Sequence, residues 1–280
     1  MKGKVKTMII GNREFNEGTY VMGILNVTPD SFSDGGQFND IDSAMRRVRK
    51  LITGGADIID IGGESTRPNY TKISDEEEIQ RILPIIARIK RIFDIPISVD
   101  TYKVNVAKAA LDAGADMIND IWGLKYDNGE MAELIAKRGV PFCLMHNRKE
   151  PVYNSFIDDV LNDLKETIQI AKKAGIADDK IILDPGIGFA KTYEQNLELT
   201  NHLERLNELG YPVLLGTSRK SMIGLTLNLP AQERVEGTLV TTVMAVMKGC
   251  RFVRVHDVLE NKRAAVMTEA ILNGGLAERS

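Results

Sequence analysis

The sequence predicts an α/β protein folded as a (β/α)8 TIM barrel with an N-terminal β-hairpin. Three observations predict it. Eight short apolar runs recur along the 280 residues, a longer amphipathic stretch follows each of them, and no low-complexity linker interrupts the rhythm. Strands alternating with helices imply right-handed βαβ units and a parallel sheet.

The expected strands are residues 21–27, 58–61, 95–99, 117–119, 140–145, 181–183, 213–215 and 252–255. Most are continuous β-branched runs, the pattern of strands buried on both faces. The expected helices are 43–52 behind Asp42 as N-cap, 79–93 behind a Ser74/Glu77 capping box, 104–113, 130–137, 157–173, 194–209, 235–247 and 258–272. Glycines stand just past most of them (Gly114, Gly139, Gly175, Gly210, Gly249, Gly274), where a left-handed residue stops a helix. Eight unbroken units favour a closed barrel, and a doubly wound open sheet is the alternative. Residues 4–10 and 14–19, joined across Gly11-Asn12, read as a hairpin that plugs the barrel bottom. The whole chain, 1–280, reads as a single domain.

Composition narrows the function classes. With 36 basic and 39 acidic residues the net charge is -3, which leaves no nucleic-acid footprint beyond a local basic site. Cys143 and Cys250 each lie in or beside an apolar run, so they read as small buried side chains. No paired-cysteine motif exists, and a reducing compartment fits. Residues 1–10 alternate basic and apolar side chains without the apolar core of a signal peptide. No stretch is long enough to span a bilayer. A cytoplasmic protein without a membrane or nucleic-acid partner is expected.

In such a barrel, chemistry sits at the carboxyl ends of the strands. Those positions hold Asn26, Asp60, Glu64, Asp100, Asn119, Asp120, His146, Asp184, Lys220, Arg254 and His256. Acids and amides fill the middle of the ring and cations its last two strands, which suits a donor-rich head with an anionic tail. Asp100 and Asp184 can each accept a fork of N–H donors, and Asn119 can donate and accept. Helix capping or a lysine partner is the plain alternative for either acid. Lys220 follows a glycine turn and offers a point charge, with Ser221 beside it. Arg219 is expected to point away and pair with an acid. Period two places Arg254 and His256 on one strand face, where guanidinium suits phosphate oxygens, and an internal ion pair is the alternative for Arg254. Arg67 adds a cation from the second loop. Asn26 opens a long polar loop suited to act as a lid, and its amide oxygen suits magnesium. With three histidines and no obvious third ligand, zinc is not expected; His146 reads as a lining or structural residue.

The runs GILNVTPDSFSDGG at 23–36 and DIGGESTRP at 60–68 resemble the two signature loops of dihydropteroate synthases, and DPGIGF at 184–189, SRK at 218–220 and RVH at 254–256 resemble three further motifs. The resemblance covers nearly the whole chain. It implies an eight-stranded α/β barrel and a transferase of folate biosynthesis. That enzyme joins 6-hydroxymethyl-7,8-dihydropterin diphosphate to 4-aminobenzoate with Mg2+, making 7,8-dihydropteroate and pyrophosphate. It further implies that Asp100, Asn119, Asp184 and Lys220 bind pterin, Asn26 the metal, Thr66, Arg67, Arg254 and His256 the pyrophosphate, and Ser221 the aminobenzoate carboxylate. Of these, Asp100, Lys220, Arg254 and His256 would be catalytic. A homodimer is the family's usual form.

Two departures stand out. Asn147-Arg148-Lys149-Glu150-Pro151 replaces a Met- and Gly-containing loop, and Ala190 replaces a frequent glycine, an exchange that reads as harmless. The chemistry reads as dissociative, with Asp100 stabilising a pterin cation, and in-line displacement is its rival. Two other functions are weighed. A corrinoid-linked pterin methyltransferase would need no diphosphate site, and a catalytically inert pterin-binding barrel would not need the full residue set.

Overall fold

The structure, a computed structural model, describes residues 7–27, 37–64 and 72–275. It opens with an antiparallel pair, β1 (Met8–Ile10) and β2 (Arg13–Phe15), turned at Gly11 with a φ of 61°. Among the described residues eight parallel strands follow: β3 (Tyr20–Asn26), β4 (Ile58–Gly62), β5 (Ile97–Asp100), β6 (Met117–Asp120), β7 (Phe142–Met145), β8 (Ile181–Asp184), β9 (Leu214–Leu215) and β10 (Phe252–Val255). They pair in the order β8-β7-β6-β5-β4-β3-β10-β9, and a parallel bridge from Leu183 to Val213 joins the two ends. The sheet therefore closes on itself, and the open-sheet alternative falls.

Helices α1 (Gln37–Thr53), α2 (Asp75–Ile92), α3 (Val104–Asp112), α4 (Glu130–Arg138), α5 (Phe156–Lys173), α6 (Tyr193–Asn201), α7 (Ser221–Leu227), α8 (Val235–Met247) and α9 (Val258–Asn273) lie on the outside. All six stop glycines take positive φ, as a left-handed helix end requires. Three expectations need correction. Helix α1 begins at Gln37, so Asp42 lies inside it and caps nothing. Ser74 accepts the Glu77 N–H at 3.1 Å, but the Glu77 carboxylate turns to Arg81 and leaves the box half made. The complete capping box is Thr192 with Gln195. The expected helix over 194–209 breaks at His202 into α6 and a 3-10 segment, Leu203–Leu209. The tighter winding stacks Leu203 and Leu206 on one face, where both are fully buried.

The barrel interior explains where chemistry can occur. Its lower layer is Met22, Ile58, Ser98, Met117, Cys143, Ile182, Leu214 and Phe252, one residue from each strand, all fully buried. Met8, Ile10 and Phe15 of the hairpin pack against this layer and seal it from below, as the sequence suggested. Side chains of a strand face alternate sides, so the next inward position is two residues further on. That step gives Ile24, Asp60, Asp100, Asn119, Met145, Asp184, Gly216 and Arg254. An apolar floor thus changes, within one repeat, into a polar ring that opens at the carboxyl ends. The outward-facing residues, among them Val21, Ile59, Val99, Leu144 and Val253, form the main core beneath the helices.

Candidate active site

Arg254 lies at the centre of the ring. Its Nε donates to Asp60 Oδ2 at 2.6 Å and its Nη2 to Asp100 Oδ2 at 2.7 Å. The internal ion pair that the sequence left open is therefore made, with two acids. Burial pushes Asp100 up to about 7, Arg254 pulls it back and Asp60 adds to the push. Arg254 itself is held above its usual value, because the attraction of Asp60 and Asp100 outweighs its burial. Asp60 Oδ1 and Asp100 Oδ1 are buried with no hydrogen-bond partner, so each acid keeps an acceptor in the ring. Asn119 is buried and lies beside Asp100 in the parallel register of β5 and β6.

Asp184 ends β8. Its Oδ1 accepts the Gly186 N–H at 2.7 Å, the tight turn that begins the following loop. Burial raises its pKa and the Lys220 charge opposes this. Lys220 is the N-cap of α7; its ammonium donates to the Ile187 carbonyl and lies 4.8 Å from the centre of the Phe189 ring. Burial brings Lys220 down to about 8, while Asp184 helps it hold its proton. Arg254 acts on both groups through space, so Asp184, Lys220 and Arg254 share one barrel mouth. Ser221 is exposed at the first position of α7.

His256 follows β10. Ser218 Oγ accepts its backbone N–H at 3.1 Å and meets its Nδ1 at 3.0 Å. The one hydroxyl thus holds both the backbone and the ring of His256 in place. Arg47 of α1 holds the His256 carbonyl at 2.8 Å. Arg219 turns away and pairs with Asp257 at 2.6 and 3.0 Å, as expected. Asn26 lies at the end of β3, its Oδ1 beside Gly62. Thr66 and Arg67, and the lid loop over 28–36, lie outside the described residues.

Other ring members serve the frame. Asp120 accepts the Trp122 and Leu124 N–H groups, both at 2.8 Å, and so holds the turn after β6. Glu64 receives Tyr102, Lys103 and the Ile73 N–H at 2.8, 2.8 and 2.9 Å. His146 is buried between Asp163 and Lys191, a structural place. Arg148, from the divergent loop, binds Asp163 and stacks on Tyr153 at 4.3 Å. Ala190 has a φ of 44°, left-handed backbone that favours glycine. The exchange for glycine thus has a cost, about 1 kcal/mol. Asp60 as the partner of Arg254, and Lys191, escaped the sequence reading. Period two from the apolar Ile58 marks Asp60 as inward; nothing local marks Lys191.

A pterin binding enzyme family description matches residues 22–256. The chain is 65% identical over 268 residues to the dihydropteroate synthase of Clostridium beijerinckii, covering 95% of this chain and 99% of that one. The chain belongs to the dihydropteroate synthase family. Its Bacillus subtilis relative is 54% identical, over 93% of this chain and 91% of the relative. Among solved structures, the Clostridium difficile dihydropteroate synthase crystallised in the presence of pteroic acid superposes with a TM-score of 0.89 at 48% identity, covering 94% of this chain and 98% of that one. The Xanthomonas albilineans dihydropteroate synthase with 4-aminobenzoic acid gives 0.90 at 40%, over 96% and 98%.

Proposed function

We propose that this chain condenses 6-hydroxymethyl-7,8-dihydropterin diphosphate with 4-aminobenzoate, releasing pyrophosphate and 7,8-dihydropteroate. The observation that carries the reading is the shared mouth of Asp184, Lys220 and Arg254, which sets carboxylate acceptors beside an ammonium and a guanidinium. Family membership at 65% identity supports it. A pterin methyltransferase would have no use for that charge. In this reading Asp184, with Asn119 and Asp100, accepts the pterin's N–H donors, and Lys220 meets its carbonyl edge. Arg254 and His256, with Thr66 and Arg67, neutralise the diphosphate as the C–O bond breaks with its electron pair on oxygen. Ser221 meets the aminobenzoate carboxylate. Above about pH 7, where Asp100 gives up its proton, its carboxylate faces the electron-poor pterin as an anion. The aniline nitrogen then bonds to the methylene carbon and its proton passes to water.

Among the described residues no group of three or more His, Cys, Asp or Glu is arranged to hold a metal. Magnesium fits a different donor set, one amide oxygen from Asn26 completed by substrate oxygens and water. When bound, it draws charge from the departing pyrophosphate. Pyrophosphate release that needs both organic substrates, stops with a chelator and returns with excess Mg2+ is the expected result. Release that does not need the amine rejects the synthase reading.

One catalytic domain over 1–280 and a cytoplasmic place complete the proposal; the two free, buried cysteines fit a reducing compartment. Among the described residues no helix is long and apolar enough to cross a membrane. We also propose a homodimer. Val240 and Met247 line the outer face of α8 and Met267 and Ile271 that of α9, all at least 60% exposed, and the two helices pack side by side. Such apolar stripes on neighbouring helices suit burial against a second copy. Light scattering is expected to give twice the chain mass, and the double substitution Met267→Glu, Ile271→Glu the single mass.

A further inference from the structure

Behind the loop that follows β8 runs a polar network that no substrate role uses. Lys191 Nζ lies 2.9 Å from the Gly186 carbonyl, 3.0 Å from the Phe189 carbonyl and 2.8 Å from His146 Nδ1. Three acceptors match the three N–H bonds of an ammonium, so a neutral amine would leave one unserved. His146 Nε2 meets Asp163 Oδ2 at 2.9 Å, and Arg148 holds the same carboxylate at 2.5 and 3.0 Å. The imidazole therefore donates through Nε2 and accepts at Nδ1. Burial keeps that ring neutral, drawing it down to about 4 against the pull of Asp163.

The loop held in this way touches the candidate site twice. Gly186 is gripped from both sides, its N–H by Asp184 and its carbonyl by Lys191. Its φ is 67°, and a Cβ there would come within 2.0 Å of the His146 carbonyl. Next along the loop, Ile187 offers its carbonyl to Lys220 and Phe189 lays its ring against the same ammonium.

We infer that Lys191 is a positioning residue for the proposed reaction: seated on His146, Gly186 and Phe189, its ammonium sets the loop that aligns Asp184 and Lys220. The inference rests on the synthase reading. Burial brings Lys191 down to about 7; Asp184 and Asp163 hold its proton on, while Lys220 and Arg148 push it off, and His146 faces it as a neutral acceptor. Above that pH the third donor is lost and the loop loosens.

The test compares the parent, Lys191→Met and Lys191→Arg by pyrophosphate release across pH and by calorimetric titration with pteroic acid. In the methionine variant, kcat/KM for the pterin diphosphate and affinity for pteroic acid are each expected to fall about tenfold or more, since small misplacements cost rate steeply. Arginine, whose charge does not titrate here, should recover most of both. It should also remove the alkaline limb near the Lys191 value, leaving the one near that of Lys220. A methionine variant that loses only thermal stability, with affinity and pH profile unchanged, overturns the inference. Should that variant not fold, the arginine profile decides, and an unmoved alkaline limb overturns it. An inactive parent that binds no pteroic acid sinks the synthase reading and this inference together; an active parent matched by the methionine variant sinks the inference alone.

Discussion

Arg254→Met is expected to lose about a thousandfold or more in kcat/KM and to unfold at clearly lower denaturant. The kinetic part follows from the proposed reaction, in which Arg254 is a charge-assisted donor to the leaving group and a single preorganised donor contributes about a hundred- to a thousandfold. The stability part follows from Asp60 and Asp100, which lose their common guanidinium while buried. Breaking one partner out of a buried ion pair costs about 3–5 kcal/mol. The pH dependence has a definite sign. Asp100 holds its proton up to about 7, above the ordinary aspartate value, so the folded state binds more protons than the unfolded one between those limits. Its contribution to stability is therefore largest at low pH and declines as pH rises towards 7. Without Arg254 the acid holds its proton to still higher pH. The deficit of the variant against the parent should be smaller at mildly acidic than at alkaline pH. Urea unfolding of both proteins at the two pH values checks this, and an equal deficit at both removes Asp100 from the account.

Asp184→Asn is the second large effect. The amide keeps the shape and can still accept the Gly186 N–H, so the fold should survive. It has only one accepting oxygen, and in the proposed pterin pose its NH2 would face the ring's donors. Hydrogen bonds to an ionised group contribute about 1.5–3 kcal/mol each, so affinity for pteroic acid should fall about a hundredfold or more. A second signature follows from Lys220. Asp184 is the first group opposing the burial that brings Lys220 down to about 8. With that carboxylate gone the lysine gives up its proton sooner, and the alkaline limb of the rate profile should move to lower pH. Unchanged affinity in calorimetry would take Asp184 out of the pterin floor.

Most of the frame was legible because buried parallel strands and glycine stops leave strong local marks. The eight apolar runs became the eight strands, and β10 matched residue for residue. The break at His202 was not legible, since apolar spacing alone does not distinguish an α turn from the 3-10 turn that buries Leu203 and Leu206. In the site, the positions of Asp100, Asp184, Lys220 and Arg254 followed from strand ends. Their partners did not. Arg254 reads as a bare cation until the ring closes and brings β4 and β5 around it. Lys191 follows Phe189 and Ala190 in a turn, where a lysine usually faces water. Only the three-dimensional approach of β7 and the β8 loop shows it folded inward.

The seal formed by Met8, Ile10 and Phe15 also bears on how the chain is made. Phe15 packs against Phe252 at 5.6 Å between ring centres, and Thr19 donates to Glu269 at 2.6 Å. The hairpin thus waits for β10 and α9, far along the chain, before its apolar faces are fully covered. Contacts this distant in sequence form late and slowly. During synthesis the half-built cylinder stays open at its base, and part of the hairpin's apolar face stays uncovered until β10 arrives.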